Sequence, residues 1–160
     1  MKKIIIFFLM ILSITVFSEE YRPYLKKNIT NKNLVFSAQI KDSKKVISIY
    51  KENKKLVYVY GLEGEKAEKI IVGNANKNLF KNENEIPLNE NNNNKLTENF
   101  ILFKVKNYTY LISFYDNYGV KENSYTLTVA KNDEEILFDK ELDISTVYDN
   151  LFNTNFFKKL

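Results

Sequence analysis

Eight short runs of β-branched and aromatic residues, each closed by turn chemistry, constrain this chain more than any other feature. LVFSAQI (34–40), KVISIYK (45–51), KLVYVYG (55–61) and AEKIIVG (67–73) form a first block. FILFKVK (100–106), YTYLISFY (108–115), SYTLTVAK (124–131) and EEILFDK (134–140) form a second. Such side chains pack well on a pleated, half-buried surface, and runs of this length suit strands. The connectors Asp42-Ser43, Glu52-Asn53-Lys54, Gly61 to Gly64, Asp116 to Gly119 and Asn132-Asp133 are rich in residues that accept tight turns. Alternation is legible: Tyr108, Tyr110, Ile112 and Phe114 share one face, as do Tyr125, Leu127 and Val129 on the next strand. The pattern predicts a mainly β fold, an antiparallel meander of about eight strands forming a barrel or a sandwich.

Three segments depart from that pattern. Residues 19–33 are polar, with Pro23 and three Asn, and read as an extended N-terminal arm. In residues 74–99, eleven of twenty-six positions are Asn and Asn91 to Asn94 is a homopolymer. So few apolar side chains do not offset the entropy of ordering, which predicts a long loop within a single domain over 34–160. At the C-terminus the period changes: Ile144, Val147, Tyr148, Leu151, Phe152 and Phe156 lie on one stripe of an amphipathic helix. Asp143 stands ahead as an N-cap, and Lys158-Lys159 suit the negative end of the helix dipole. The helix is expected to cover the sheet or one barrel end.

The first eighteen residues have the layout of a cleavable secretory signal. Lys2 and Lys3 precede an apolar run over residues 4–17, and Val16 and Ser18 precede a cut ahead of Glu19. A run of fourteen residues is short of the roughly 20 that a spanning helix needs, so no stable membrane span is expected after cleavage. Without Lys2 and Lys3, the 24 basic residues fall to 22 against 20 acidic ones, a net charge of +2. With signs interspersed, that balance gives no reason to expect a nucleic-acid partner. The expected location is the periplasm or the extracellular medium.

Residue types restrict the chemistry. The chain has no His and no Cys, so a Ser-His-Asp arrangement, a thiolate nucleophile and a Cys/His zinc site are all excluded. No Gly-rich phosphate loop is present, and the acidic residues cluster in turns beside lysines without the spacing of a calcium loop. We therefore expect no enzyme, no cofactor and no metal. Tyrosine is the one recognition chemistry in abundance, with eleven Tyr and no Trp. Tyr58, Tyr60, Tyr108 and Tyr110 alternate on strands expected to share a sheet, where a row of half-polar rings would serve as a ligand-binding face. The competing expectation is ordinary cross-strand packing.

The stretch VISIYKENKKLVYVYGLEGEKAEKIIVG (46–73), with its L-x-Y-x-Y-G strand and lysine-containing turn, resembles an uncharacterised family of small exported β-rich bacterial proteins. NYTYLISFYDNYGVKENSYTLTVAKNDEEILFDKELD (107–143) is similar to the later half of that family. The resemblance implies secretion and a compact β fold without assigning an activity. Family members often carry cysteines near the positions of Tyr50 and Leu142, which this chain lacks. The meander over 46–73 also resembles, more weakly, the small periplasmic barrels that inhibit lysozyme, although their cysteines and serine–glycine loop are missing. The resulting expectation is an exported, non-catalytic binding module whose partner is an envelope protein or a glycan. The alternatives are an inhibitor of a cell-wall enzyme such as lysozyme and a structural envelope subunit.

Overall fold

A computed structural model describes residues 21–26, 33–75, 77–87, 95–117 and 122–152. The expected signal segment and Asn91 to Asn94 lie outside these residues. The described residues form ten strands in two antiparallel five-stranded sheets stacked as a sandwich, and among them the sheets do not close into a barrel. In the first sheet β1 (Leu34–Gln39), β2 (Lys45–Glu52), β3 (Lys55–Leu62) and β4 (Lys69–Asn74) follow in order, and the short β10 (Tyr148–Asp149) flanks β1. The second sheet runs β5 (Leu79–Pro87), β6 (Lys95–Val105), β7 (Tyr108–Asn117), β8 (Glu122–Lys131) and β9 (Glu135–Glu141). All eight runs expected from the sequence are strands. Asn53, Lys106, Asn132 and Asp133 take positive φ values of 53°, 56°, 55° and 61° in the hairpin turns, a conformation that tightens two- and three-residue connections.

The core lies between the sheets. Phe36, Ile47, Ile49, Leu56 and Tyr58 from the first sheet meet Ile101, Phe103, Ile112 and Leu127 from the second. Cross-strand partners agree with the expected faces, since Tyr110 pairs with Val129, Ile112 with Leu127 and Phe114 with Tyr125.

Two expectations are corrected. The Asn-rich stretch expected as a loop over 74–99 contains all of β5 and the start of β6. Strand β5 is an edge strand, and its ladder with β6 needs only backbone groups, so Asn82 and Glu83 are exposed while Leu79 anchors the strand in the core. Composition describes the exposed side chains there and misses the pairing.

Among the described residues the expected C-terminal helix is also absent. Ile144–Thr146 form a single 3-10 turn, capped by Asp143, whose side chain accepts from the Ser145 backbone N–H. Val147 then turns extended, and Tyr148 pairs with Ser37 in β10. Next, Asp149 Oδ1 accepts the N–H groups of Leu151 and Phe152 at 2.8 and 2.7 Å. Asp149 therefore satisfies two N–H groups that a continuing helix would bond to carbonyls, which is how such side chains compete with helices. Leu151 and Phe152 still enter the core, whereas Ile144 is 56% exposed. Phe156 lies outside the described residues.

Residues 21–26 of the expected N-terminal arm cross the outer face of the first sheet, and residues 19–20 and 27–32 of it lie outside the described residues. Tyr21, Pro23 and Leu25 are buried, and the intervening Arg22, Tyr24 and Lys26 are not. Tyr21, Leu34, Tyr50, Val57 and Val59 form a second apolar cluster there.

Two outcomes follow from this packing. A Cβ on Gly73 would stand 2.7 and 2.8 Å from two ring carbons of Phe103 and 3.2 Å from Leu79 Cβ. Gly73→Ala should therefore cost about 1–3 kcal/mol, read from the urea unfolding midpoint. Burial, and to a lesser degree Tyr24, push the Tyr50 phenol from the ordinary 10.0 up to about 12, against an opposing hydrogen bond with Ser48. The folded state thus keeps this proton after the unfolded chain has lost it, so its stabilisation is complete below pH 10 and is lost as pH rises towards 12. Denaturant midpoints measured between those limits should fall, and the fall should be shallower in Tyr50→Phe.

Candidate functional site

The tyrosine row expected from the sequence is divided between two sheets. Tyr58 and Tyr60 belong to β3, and Tyr108 and Tyr110 to β7. The expectation that they share a sheet fails because the strand blocks pair internally, which places β3 and β7 on opposite sides of the core. Tyr58 is 1% exposed, with its ring 5.6 Å from that of Tyr110 and 5.7 Å from that of Phe103. These rings form an inter-sheet aromatic cluster, and burial pushes the Tyr58 phenol well above the usual range. Tyr110 is half-buried beneath Lys69, whose Nζ lies 5.4 Å from the ring centroid. Tyr108 is half-buried opposite Val105 and Lys131 at the start of β7. Tyr60 lines a cleft.

That cleft forms where the sandwich comes together at one corner. The end of β1 meets the end of β9 through a bridge between Ile40 and Leu142. Lys41 N–H donates to Glu141 O at 3.0 Å and Asp143 N–H to Gln39 O at 2.8 Å. On one side of this junction is a cleft of about 440 Å³ lined by Tyr60, Phe138, Lys41, Asp42, Ser43, Asp139, Lys140 and Glu141, with Ile40 at its base. A second, of about 350 Å³, lies across the Lys41–Glu141 pair and is lined by Asn123, Ser124, Tyr125 and Asp143, among others.

The lining is held locally. The turn after β1 is fixed by Ser43 N–H donating to Ile40 O at 3.1 Å and by Gln39 Nε2 donating to Ser43 O at 2.6 Å. Asp42 holds a φ of 59° at its tip, a conformation Asp tolerates through local bonding. Lys41 Nζ reaches Glu141 Oε2 at 2.5 Å, which raises the lysine pKa. Asp139 accepts from the Thr128 hydroxyl at 2.7 Å. Tyr60 is half-buried and its phenol is raised by burial first and by Glu68 second, with Lys45 opposing. Tyr60 and Phe138 both pack against the core and line the cleft, so each ring is held from behind.

Chemically the cleft combines two aromatic rings with ammonium and hydroxyl donors and three carboxylate acceptors. A few polar groups around an apolar floor suit the binding of a polar ligand. Phe138 and Glu141 stand far along the chain from Lys41 and Tyr60, so only the closed corner brings them together. The sequence marks Asp42-Ser43 as a turn and carries no signal for their meeting with β9. Among the described residues no group of three or more acidic, His or Cys side chains could hold a metal ion. No described helix is long and apolar enough to cross a membrane.

Compared with models of known protein families, with curated proteins and with solved structures, the chain matches none.

The division of roles among the tyrosines is measurable. Tyr58→Ala should lose about 3–5 kcal/mol of stability, as expected for deleting a buried ring. Tyr60→Ala should shift the urea midpoint far less, because its ring is half in solvent already. Equal losses at both positions would remove Tyr60 from the cleft wall and return it to the core.

Proposed function

We propose that the protein is an exported, non-catalytic binding module that takes a glycan in the cleft beside Tyr60 and Phe138. The observation that carries this reading is the composition of that cleft: two rings fixed from behind, rimmed by Lys41, Asp42, Asp139, Lys140 and Glu141. Sugar rings present an apolar C–H face and a hydroxylated edge. The rings would take the face, and the alternating carboxylates and ammonium groups would take the hydroxyls. A cleft this open suits a chain end or a short oligosaccharide better than an enclosed small molecule.

Export rests on the layout of residues 1–18, which precedes the arm and supplies the charged, apolar and small-residue order of a secretory signal. Under this reading the module meets its ligand in the periplasm or outside the cell.

The test has two parts. N-terminal sequencing of the protein from its native host should begin at Glu19, and a chain still starting at Met1 would refute export. Titration of the mature form with soluble peptidoglycan fragments and neutral oligosaccharides should move the amide resonances of Lys41, Tyr60, Phe138 and Glu141. Tyr60→Ala should weaken that binding about tenfold, equivalent to about 1.4 kcal/mol. If no member of the panel moves those resonances at millimolar concentration, the glycan reading fails.

A further inference from the structure

We infer that the outer face of the first sheet is an acceptor groove for an extended peptide segment, and that it takes the N-terminal arm of a second copy as well as its own. The inference stands on a different surface from the cleft and does not depend on it.

The groove is built on strands β1 to β3 and is crossed by residues 21–26. Nearly every polar contact across it uses the main chain of the arm. Ser48 Oγ accepts the Tyr24 N–H and donates to the Tyr24 carbonyl, both at 2.8 Å. Ser37 Oγ accepts the Lys26 N–H at 3.1 Å, and Glu63 Oε1 accepts the Leu25 N–H at 3.0 Å. Tyr50 OH donates to the Arg22 carbonyl, and Gly64 N–H to the Pro23 carbonyl, at 2.8 and 2.9 Å. Alternate side chains fill the apolar floor, Tyr21 lying 5.4 Å ring to ring from Tyr50. Main-chain bonds combined with alternate side-chain seats are how a protein surface reads an extended peptide.

Nothing in these contacts uses the covalent link between arm and sheet. They join residues 11 to 42 positions apart, so an arm from another copy can make the same set. Exchange requires the floor to empty briefly. Ser37 and Ser48 are wholly buried beneath the arm, and their hydroxyls would turn to water when it leaves. The surrounding Leu34, Tyr50, Val57 and Val59 are apolar and favour refilling. Every copy carries the one segment known to fit. Exchange of identical elements between copies follows at little energetic difference.

Two full-length variants separate donor from acceptor. Tyr21→Ala/Leu25→Ala spoils the arm and keeps the groove; Ser37→Val/Ser48→Val removes the groove hydroxyls and keeps the arm. By sedimentation each variant alone should be monomeric, and the mixture should form a one-to-one complex. A synthetic peptide covering residues 19–26 should dissolve that complex. Two folded variants whose mixture stays monomeric at every concentration would overturn the proposal. Should either variant fail to fold, wild-type protein mixed from two isotope labels carries the test. Contacts between Leu25 of one label and Val57 or Val59 of the other support exchange, and their absence at high concentration refutes it.

Discussion

The burial of two sheet faces against each other is the interaction on which the rest of the structure depends. Among the described residues only a few backbone bonds join the sheets, at the Ile40–Leu142 corner and at an isolated bridge between Ala75 and Leu79. No disulfide assists, since the chain has no cysteine. Side-chain packing therefore has to fix both the spacing and the register of the layers. Aromatic rings supply it at the two ends: Tyr58, Phe103 and Tyr110 at one, and Phe36, Phe114, Tyr125 and Phe152 at the other. Between them Ile47, Ile49, Ile101, Ile112 and Leu127 fill the middle with branched aliphatic groups. Rings at the ends and aliphatics in the centre suit two twisted sheets, which diverge away from their closest approach.

The same requirement explains the C-terminal segment. After β9 the chain must cross from the second sheet to the first, and it does so over Leu142 to Val147 before pairing as β10. Asp149 then holds the following turn: Oδ1 takes two N–H groups while Oδ2 accepts the Tyr125 hydroxyl at 2.9 Å. One carboxylate thus ties a core tyrosine to the segment that delivers Leu151 and Phe152 into the core. A helix over the same residues would satisfy its own backbone. It would not place Tyr148 beside Ser37 or bring an acceptor to Tyr125.

How much of this was legible in the sequence follows from the same physics. Strands announced by β-branched and aromatic residues were readable, and their cross-strand faces with them, because the period of a strand is set locally. The sequence reading failed where a neighbour decides the outcome. Asn82 and Asn84 are strand residues because β6 lies beside them, and nothing in their own chemistry says so. The stripe from Ile144 to Phe152 has helical spacing, yet Asp149 diverts it, and its effect depends on where its carboxylate points. The tyrosines divided for a similar reason: alternation fixes which face a ring occupies, while topology decides which sheet owns the face. The cleft at the corner was invisible, since Lys41 and Glu141 meet only once both sheets exist.

The two outer faces of the sandwich show why the arm belongs to the fold. On the second sheet the outward residues include Leu102 and Leu111, but they are set among Thr126, Thr128, Asn82 and a polar group centred on Glu98. Glu98 Oε1 accepts from Tyr115 at 2.9 Å and Oε2 from Asn84 at 3.3 Å. Such a face satisfies itself in water. The first sheet turns Leu34, Tyr50, Val57 and Val59 outward with Ser37 and Ser48 among them, and this mixture is stable only under a cover that is both apolar and hydrogen-bonding. A helix offers an apolar stripe but no free main-chain groups. An extended segment offers both, with side chains on one side at every second residue and N–H and C=O groups between them. Residues 21–26 of the polar arm are such a segment. Three apolar residues at alternate positions are enough to fix a segment whose backbone the sheet already binds.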